Sequence, residues 1–439
     1  MDLIYVGLIG ILVFLGLIAI RVPVAYAMAL VGTAGLAYIN GFKTVFSYIP
    51  LQMYSHTSNF SFAALPLFIL MGSLGFYADI AKDSYDAALA WFGKVPGGLA
   101  ITTVYACAIF GACSGSALAE CAVFSKIAIP EMVSRGYNKR LALGTVCSAG
   151  CLDVLIPPSI PLVLYGVLSE TSIGQLLIAG ILPGIVYAII FALAIGLFCY
   201  FKPSYAPKAP DVNTSWAARW SSFKRLWAVT VLFVVVLGSI YLGWATPDEA
   251  AGVGVIGTFL VVVYRKKFKW HDVLMATLDA GKSSSMIFLI LGGASIFSAF
   301  LLLTGVFSVL TNWIIAQNFP LWGIFLAFNV LWVVMDVCLD GLSIMILTLP
   351  IAMPIMQAHN VDPVWFGIVM WTMLLIGGVS PPFAMNCFVL KGALGDQVDM
   401  KDIYMGSIPF CFLMLFILIL YYVFPELCTW LPGLMKTHA

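Results

Sequence analysis

The stretch LIPPSIPLVLYG, residues 155–166, places two consecutive prolines inside a long apolar region. The stretch VSPPFAMNCFVL, residues 379–390, repeats this arrangement, with its proline pair 224 positions later in the chain. A single proline precedes each pair at an equal spacing, Pro130 before the first and Pro354 before the second, so the same offset superimposes three prolines of one half on three of the other. Proline interrupts the hydrogen-bond ladder of a helix. The chain is therefore expected to consist of two halves, each with one broken helix.

The composition indicates a membrane protein. Of the 439 residues, 62% are hydrophobic and 9% are charged, whereas about a quarter of the residues in soluble domains are charged. Apolar runs of about 20 residues, enough to cross a hydrocarbon core, recur throughout the chain. The net charge of +1 points to no nucleic-acid partner, and the ten cysteines lack the spacing of metal ligands. We expect no transition metal and no organic cofactor.

Hydropathy and basic residues together predict the topology. The candidate spans are residues 4–20, 24–40, 62–80, 140–170, 173–200, 224–243, 249–264, 283–303, 362–394 and 402–424. Segments 97–130 and 319–356 are long enough to enter and leave the membrane on one side, as re-entrant hairpins. This threading puts every Lys and Arg except Lys43 and Lys436 on one face, which the positive-inside rule makes cytoplasmic. Both termini then lie outside, and the two halves are inverted.

The middle of each predicted hairpin suits a turn. Residues 114–116 read Ser-Gly-Ser, and residues 338–341, at the same offset, read Cys-Leu-Asp-Gly. Half-helices that meet at such a tip leave carbonyl groups free at one end and N–H groups at the other, where a cation and an anion can bind. Paired breaks in inverted halves are typical of the ligand site of a secondary transporter.

Four acidic residues lie in the predicted membrane interior, all near a tip or a break: Glu120, Asp153, Asp336 and Asp340. Ionisable groups are costly in a membrane and usually mark functional sites. No arginine lies in this interior. An anionic substrate would therefore be held by hydroxyl groups, helix N-termini and a bound cation, which favours cation coupling.

Both halves resemble the large membrane subunit of tripartite ATP-independent periplasmic (TRAP) transporters. The resemblance rests on the first hairpin with residues 155–166, on residues 349–390, on IRVPVAYAMAL (20–30) and on SFAALPLFILMG (61–72), and covers essentially the whole chain. It implies an all-α polytopic membrane protein with inverted repeats, two re-entrant hairpins and two broken helices, in an elevator-type fold.

The resemblance further implies sodium-coupled uptake of a small organic anion, a carboxylate or sulfonate, in the bacterial inner membrane. Both termini would be periplasmic. The partners would be a small four-helix membrane subunit, a periplasmic substrate-binding protein and phospholipid, but no nucleic acid. The length fits the large subunit alone.

The resemblance also assigns site residues by position. The two sodium sites would be formed by Ser114, Gly115, Ser116, Pro157 and Pro158, and by Leu339, Asp340, Gly341, Ser380, Pro381 and Pro382. Asn386 matches a family asparagine that follows the second break. The substrate-binding candidates are Ser116, Glu120, Asp153, Ser159, Ser380 and Asn386. The chain departs from the family at Glu120, Cys121 and Phe124, where small residues are usual.

We expect the hairpins and broken helices, residues 97–170 and 283–394, to form one moving unit. The scaffold would consist of residues 1–96 with an interfacial helix at 44–57, residues 171–282 with a cytoplasmic linker at 201–222 and a second interfacial helix at 265–282, and residues 395–439.

Two other classes of protein are alternatives. The four histidines are scattered and form no catalytic arrangement, so we expect no catalytic residues and no enzyme activity. A stand-alone sodium/dicarboxylate-type symporter, working without a binding protein, remains open. The sequence does not identify the anion, since sialic acids, dicarboxylates, keto acids and sulfonates are all compatible.

Overall fold

The computed structural model describes residues 3–207, 214–317, 319–382 and 384–435, and all regular structure within them is helical. The first half contains α1 (Leu3–Ala19), α2 (Val24–Asn40), α3 (Phe42–Thr57), α4 (Ala64–Tyr77), α5 (Ile80–Phe92), α6 (Gly98–Ser114), α7 (Ala117–Ser134), α8 (Lys139–Ala149), α9 (Ile160–Leu168) and α10 (Ile173–Phe201). The connecting α11 is Trp216–Arg225.

The second half follows with α12 (Trp227–Tyr241), α13 (Pro247–Tyr264), α14 (Trp270–Leu303), α15 (Val306–Ala316), α16 (Leu321–Asp336), α17 (Gly341–Ala358), α18 (Pro363–Gly377), α19 (Met385–Leu394), α20 (Met400–Val423) and α21 (Glu426–Gly433). Short 3-10 turns occupy Phe60–Ala63, Leu152–Val154, Pro203–Tyr205 and Gly395–Gln397.

The two halves have the same order of helices. Helices α7 and α17 begin and end at the offset that relates the proline pairs, and α8 and α18 begin at it. Six further pairs of helices begin at positions that agree with this offset to within three residues: α1 and α12, α2 and α13, α5 and α15, α6 and α16, α9 and α19, and α10 and α20. A single long helix, α14, stands where the first half has α3, a 3-10 turn and α4.

Capping residues start corresponding helices at the same offset. The Asn138 side chain accepts hydrogen bonds from the first backbone N–H groups of α8, and Asp362 does the same for α18. Such oxygen atoms satisfy donors that have no partner within the helix. The matched pair shows that the offset between the halves extends to local hydrogen bonding.

The helices confirm a multi-pass membrane protein. Within the described part of the chain, six helical segments are long and apolar enough to cross a membrane, or seven if α11 and α12, bent by 52°, count as one. Helices α1 and α2, at 17 residues each, are slightly shorter than these. The expected spans 140–170 and 362–394 are both interrupted, as the proline pairs predicted, and each becomes two short helices.

Three expectations about individual segments were wrong. Residues 270–282 and 283–303 are one continuous helix, α14, and not an interfacial segment followed by a span. Residues 216–222 of the expected linker belong to α11, while residues 208–213 lie outside the described part of the chain. Helices α5, α15 and α21 were not predicted, because each is too short for a hydropathy signal of membrane-spanning length.

The short helix α5 forms ion pairs with basic residues of α11 and of the connection between α13 and α14. Arg265 pairs with Asp83 and Arg225 pairs with Asp86, both on α5. The Lys267 Nζ atom lies 2.5 Å from the Oδ2 atom of Asp79, the residue before α5. These pairs are mostly exposed, and exposed ion pairs stabilise by at most about 1 kcal/mol each. Their effect is to place α5 at the face where the basic residues gather.

The helices form two packed groups. In the first, α1 to α4 pack with α12 to α14; in the second, α6 to α10 pack with α16 to α21. A Cβ atom on Gly32 of α2 would lie 2.7 Å from the Phe297 nitrogen of α14, and one on Gly144 of α8 would overlap the Gly406 carbonyl of α20. We expected α10 and α20 in the scaffold, but they pack directly on the broken helices.

Candidate functional site

The first tip is a tight turn between α6 and α7. Gly115, at a φ of +65°, adopts the left-handed conformation that glycine accepts without strain. Ser116 then caps α7, because its Oγ atom accepts a hydrogen bond of 3.4 Å from the Ala119 N–H group. A Cβ atom built on Gly115 would lie 3.1 Å from the Pro158 carbonyl oxygen. The tip therefore touches the first break.

The second tip joins α16 to α17 and uses the same kind of cap. The Asp340 carboxylate accepts hydrogen bonds from the Ser343 N–H group, at 3.3 Å, and from the Ser343 hydroxyl group. The offset between the halves superimposes Asp340 on Ser116, so the two caps correspond. Gly341 packs on the indole ring of Trp371, since a Cβ atom there would be 3.4 Å from the ring.

The two breaks separate α8 from α9 and α18 from α19. Both prolyl-proline bonds, at Pro157-Pro158 and Pro381-Pro382, are cis. In the first break, the Ser159 hydroxyl donates to the Val154 carbonyl and caps α9. In the second, the Tyr404 hydroxyl of α20 donates a 2.7 Å hydrogen bond to the Pro382 carbonyl. A backbone carbonyl of the second break is thus hydrogen-bonded to the neighbouring helix α20.

Asn386 connects the second broken helix to the first half. The Asn386 Nδ2 atom donates a hydrogen bond to the Cys147 carbonyl at 3.1 Å. The backbone carbonyl of Asn386 accepts a hydrogen bond from the Cys121 thiol at 3.4 Å. Side chains on α19 and α8 also meet, with the Cys147 and Cys387 sulfur atoms 3.2 Å apart. The helices beside the two breaks therefore lie against one another within the second packed group.

A cavity of about 340 Å³ lies between the two tips. Its lining combines both tips, the residues beside both breaks, and scaffold residues of α4 and α14. The polar and acidic groups among the lining residues are Ser116, Ser283, Asp336, Asp340, Trp371 and Asn386. A second cavity of about 390 Å³, which contains Asp279 and Lys282, shares Ser116 and Ser283 with the first.

Several candidate residues lie away from this cavity. Glu120, Asp153 and Ser159 are completely buried and are not among the lining residues. The carboxyl oxygens of Glu120 and Asp153 have no hydrogen-bond partner within the described part of the chain. Asp153 packs on α6, where a Cβ atom on Gly111 would be 3.0 Å from the Asp153 Cα atom. Ser380 also lies outside the lining.

Trp371 is a lining residue that the sequence did not single out. It stands in the middle of the apolar helix α18, and tryptophan in an apolar helix carries no distinctive signal. The sequence identified Asp336 as an interior acid, but it did not identify Gly377 as the residue on which the Asp336 carboxyl group packs. A Cβ atom on Gly377, at the end of α18, would overlap the Asp336 carboxyl group, so this contact requires glycine.

The family model of the DctM component of tripartite ATP-independent periplasmic transporters matches residues 11–427. The C4-dicarboxylate TRAP transporter large permease protein DctM of Pseudomonas aeruginosa is 31% identical over 387 residues, which cover 88% of this chain and 89% of that protein. The ectoine TRAP transporter large permease protein TeaC of Halomonas elongata is 27% identical, with 96% and 97% covered. The sialic acid TRAP transporter large permease protein SiaM of Vibrio cholerae is 28% identical, with 97% and 98% covered.

Two solved structures share the fold. The YdaH transporter of Alcanivorax borkumensis superimposes with a TM-score of 0.60 at 15% identity, covering 89% of this chain and 90% of its own. MtrF of Neisseria gonorrhoeae superimposes with a TM-score of 0.61 at 12% identity, covering 89% and 85%. These likenesses concern the fold alone.

Proposed function

The chain belongs to the DctM component family of tripartite ATP-independent periplasmic transporters, and we propose that it imports a small organic acid, a carboxylate or sulfonate, under a sodium gradient. It would act as the large subunit, with a small four-helix membrane subunit and a periplasmic binding protein. The protein would lie in the bacterial inner membrane, with both termini on the periplasmic side. Residues 1–2 and 436–439, which include Lys436, lie outside the described part of the chain. No catalytic role is proposed.

The observation that carries this proposal is the composition of the 340 Å³ cavity. Both tips, both breaks and two scaffold helices contribute to its lining, so any solute inside would contact all the parts that an alternating-access movement rearranges. Broken helices around a central cavity are the usual binding site of transporters built from repeats.

The tips and breaks also offer the ligands that sodium requires. Hard cations prefer oxygen ligands. In the first half the Pro158 carbonyl lies next to Gly115, with the Ser116 hydroxyl adjacent. In the second half the Asp340 carboxylate lies at the tip. Sodium would be held at these two places and would add positive charge near a bound organic acid.

The packing supports an elevator-type movement with a revised division of the chain. The expected boundary at 282/283 falls inside α14, and a continuous helix moves as one piece. We assign α1 to α4 and α12 to α14 to the scaffold, and α6 to α10 and α16 to α21 to the moving unit. The pairs α6–α7 and α16–α17 would be the re-entrant hairpins of two inverted repeats.

Uptake into liposomes tests the proposal. The chain, reconstituted with a cognate small subunit and binding protein, would be screened with radiolabelled organic acids. We expect accumulation under an inward sodium gradient, unchanged by ATP. Equal accumulation with potassium replacing sodium on both sides would refute sodium coupling. Full uptake without the binding protein would favour the stand-alone symporter instead.

A further inference from the structure

The two breaks differ in their exposure. Residues 151–160, which include the first break, are all buried, whereas Pro381 and Pro382 of the second break are exposed. A buried segment is held in place by the side chains packed around it. An exposed segment outside a helix keeps one conformation only where specific contacts fix it. The second break therefore needs anchoring contacts that the first break does not need.

Helix α20 supplies two of these contacts. The Tyr404 hydroxyl donates a hydrogen bond of 2.7 Å to the Pro382 carbonyl. The Ser407 hydroxyl, one turn further along α20, lies within hydrogen-bond distance of the Val379 carbonyl, at 3.2 Å. The two carbonyl groups lie on either side of residues 380 and 381. Side chains of α20 thus hold the second break at both of its ends.

The first half has no counterpart of these two hydroxyl groups. The offset between the halves superimposes Tyr404 on Gly180 and Ser407 on Pro183, both on α10. Neither glycine nor proline has a side chain that donates a hydrogen bond. A Cβ atom on Gly180 would overlap the Leu155 carbonyl oxygen, so α10 packs directly on the first break. Close packing therefore holds the first break, and hydrogen bonds hold the second.

Corresponding carbonyl groups of the two breaks have different neighbours. The Pro158 carbonyl lies beside Gly115 of the first tip and accepts no hydrogen bond from the described part of the chain. The Pro382 carbonyl, at the same position in the second half, is bonded to Tyr404. Among the described residues, those that line the cavity between the tips include Asp340 but not Pro382. A cation at the second tip would thus rely on the Asp340 carboxylate, with the second break as its support.

We propose that Tyr404 is a positioning residue for cation binding at the second tip. Gly377 and Gly378 before the second break line the cavity between the tips, and so does Asn386 after it. The Asn386 N–H group donates a hydrogen bond of 3.1 Å to the Gly378 carbonyl. By fixing the break between these residues, Tyr404 and Ser407 hold this part of the lining in the conformation that binds the cation. A site that is ordered beforehand binds more tightly, because binding then costs less ordering. This inference rests on the proposed sodium coupling and deepens it.

The sodium dependence of thermal unfolding, measured on the full chain in lipid nanodiscs, tests the inference. A ligand that binds only the folded state raises the midpoint of unfolding. The midpoint is measured over a series of NaCl concentrations, with KCl keeping the ionic strength constant. The midpoint without sodium reports folding, and the NaCl concentration that gives half of the full rise reports sodium binding. A residue with a purely structural role changes the first quantity and leaves the second unchanged.

Tyr404→Phe removes the hydroxyl group and keeps the ring. We expect the NaCl concentration for half of the rise to increase about threefold or more, in the range that the loss of one hydrogen bond produces. Tyr421→Phe is the matched control, because Tyr421 is also on α20 and donates a bond of equal length, 2.7 Å, to the Pro183 carbonyl. Neither Tyr421 nor Pro183 lines the cavity between the tips. The control should keep the sodium dependence of the unaltered chain, even where its midpoint without sodium falls. Equal sodium dependence of the two variants would overturn the inference.

Ser407→Ala is a second variant, which removes the contact with the Val379 carbonyl and should shift the sodium dependence in the same direction. It carries the test if Tyr404→Phe does not fold. In the background of Asp340→Asn, Tyr404→Phe should shift the sodium dependence less than in the unaltered chain, since both substitutions act on the same cation. A full shift in that background would contradict a role at the second tip.

The response of the unaltered chain separates this inference from the proposed function. If NaCl and KCl affect its unfolding alike, the proposed sodium coupling fails, and the role of Tyr404 fails with it. If NaCl alone raises the midpoint, and Tyr404→Phe and Ser407→Ala respond as the unaltered chain does, only the role of Tyr404 fails.

Discussion

At the scale of single residues, four interior acids behave in two different ways. Asp336 and Asp340 line the cavity between the tips, whereas Glu120 and Asp153 are sealed inside the packed helices. The sequence identified all four as costly in a membrane, because that depends on residue type and position along the chain. It could not sort them, because the sorting depends on which helices cross beside them. The same holds for Trp371.

The contact between Gly377 and Asp336 predicts the effect of a single methyl group. Gly377→Ala would place a Cβ atom on the Asp336 carboxyl group and force the second break away from α16. Overpacking of this kind costs about 1–3 kcal/mol, so the midpoint of thermal unfolding should fall. Gly392→Ala, on α19 with open space around it, is the control and should not lower the midpoint.

The double variant Gly377→Ala/Asp336→Ala makes this prediction more specific. Removing the carboxyl group relieves the shortest contacts, but the Asp336 Cβ atom would still lie 2.7 Å from the added methyl group, so only part of the lost stability should return. An unfolding midpoint as low as that of Gly377→Ala alone would show that the clash arises elsewhere.

Asp340 combines a cap with a charge, and substitutions can separate the two. Asp340→Asn keeps a capping oxygen but loses the charge, whereas Asp340→Ala loses both and should cost a further 0.5–2 kcal/mol or so. Both should raise the sodium concentration needed for half-maximal uptake. Asp362 caps α18 outside the cavity, so Asp362→Asn is the matched control. An unaltered sodium requirement in Asp340→Asn would remove this side chain from the sodium site.

At the scale of secondary-structure elements, the sequence predicted where helices break better than it predicted where a helix continues. The proline pairs located both breaks, and Ser-Gly-Ser located the first tip within a residue, because proline and glycine act on the local backbone. The continuity of α14 was missed, since a helix that passes from a charged segment into an apolar one resembles two elements in hydropathy. Short helices such as α5, which packs on α6 through its buried face, are missed because they carry no hydropathy signal of membrane-spanning length.

The approach of α4 to the first tip predicts a sensitive position in the scaffold. A Cβ atom on Gly72 would overlap the Ser114 carbonyl oxygen, so Gly72→Ala should displace the tip and slow uptake. Gly75→Ala, one turn away, would meet only ordinary contacts of 3.6 Å or more and serves as control. Equal uptake rates for the two variants would show that the tip tolerates displacement.

At the scale of the whole molecule, two groups of helices meet along α4, α6, α14 and α17. The proline offset predicted the repeated order of helices. It could not predict that α10 and α20 belong to the second packed group. It depends on close crossings such as that of Gly144 with Gly406, which no spacing along the chain reveals. In the proposed mechanism the second group slides against the first, so contacts between the groups must break during each cycle.

A disulfide between the two groups tests this movement most directly. A Cβ atom on Gly75 of α4 would lie 3.8 Å from the Cβ atom of the native Cys113 on α6, within the 3.5–4.5 Å or so that disulfides span. Gly75→Cys should therefore cross-link to Cys113 on oxidation. Gly75→Ser, and Gly75→Cys combined with Cys113→Ala, control for the substitution and for oxidation.

The decisive measurement is sodium-driven uptake by the Gly75→Cys transporter before oxidation, after oxidation and after reduction. Mass spectrometry would verify the bond to Cys113 in the same samples. Sliding of the second group against the first predicts that uptake stops when the bond forms and returns when it is reduced, while both controls transport throughout. Undiminished uptake with the bond verified as formed would contradict the elevator movement and place the gating at the tips.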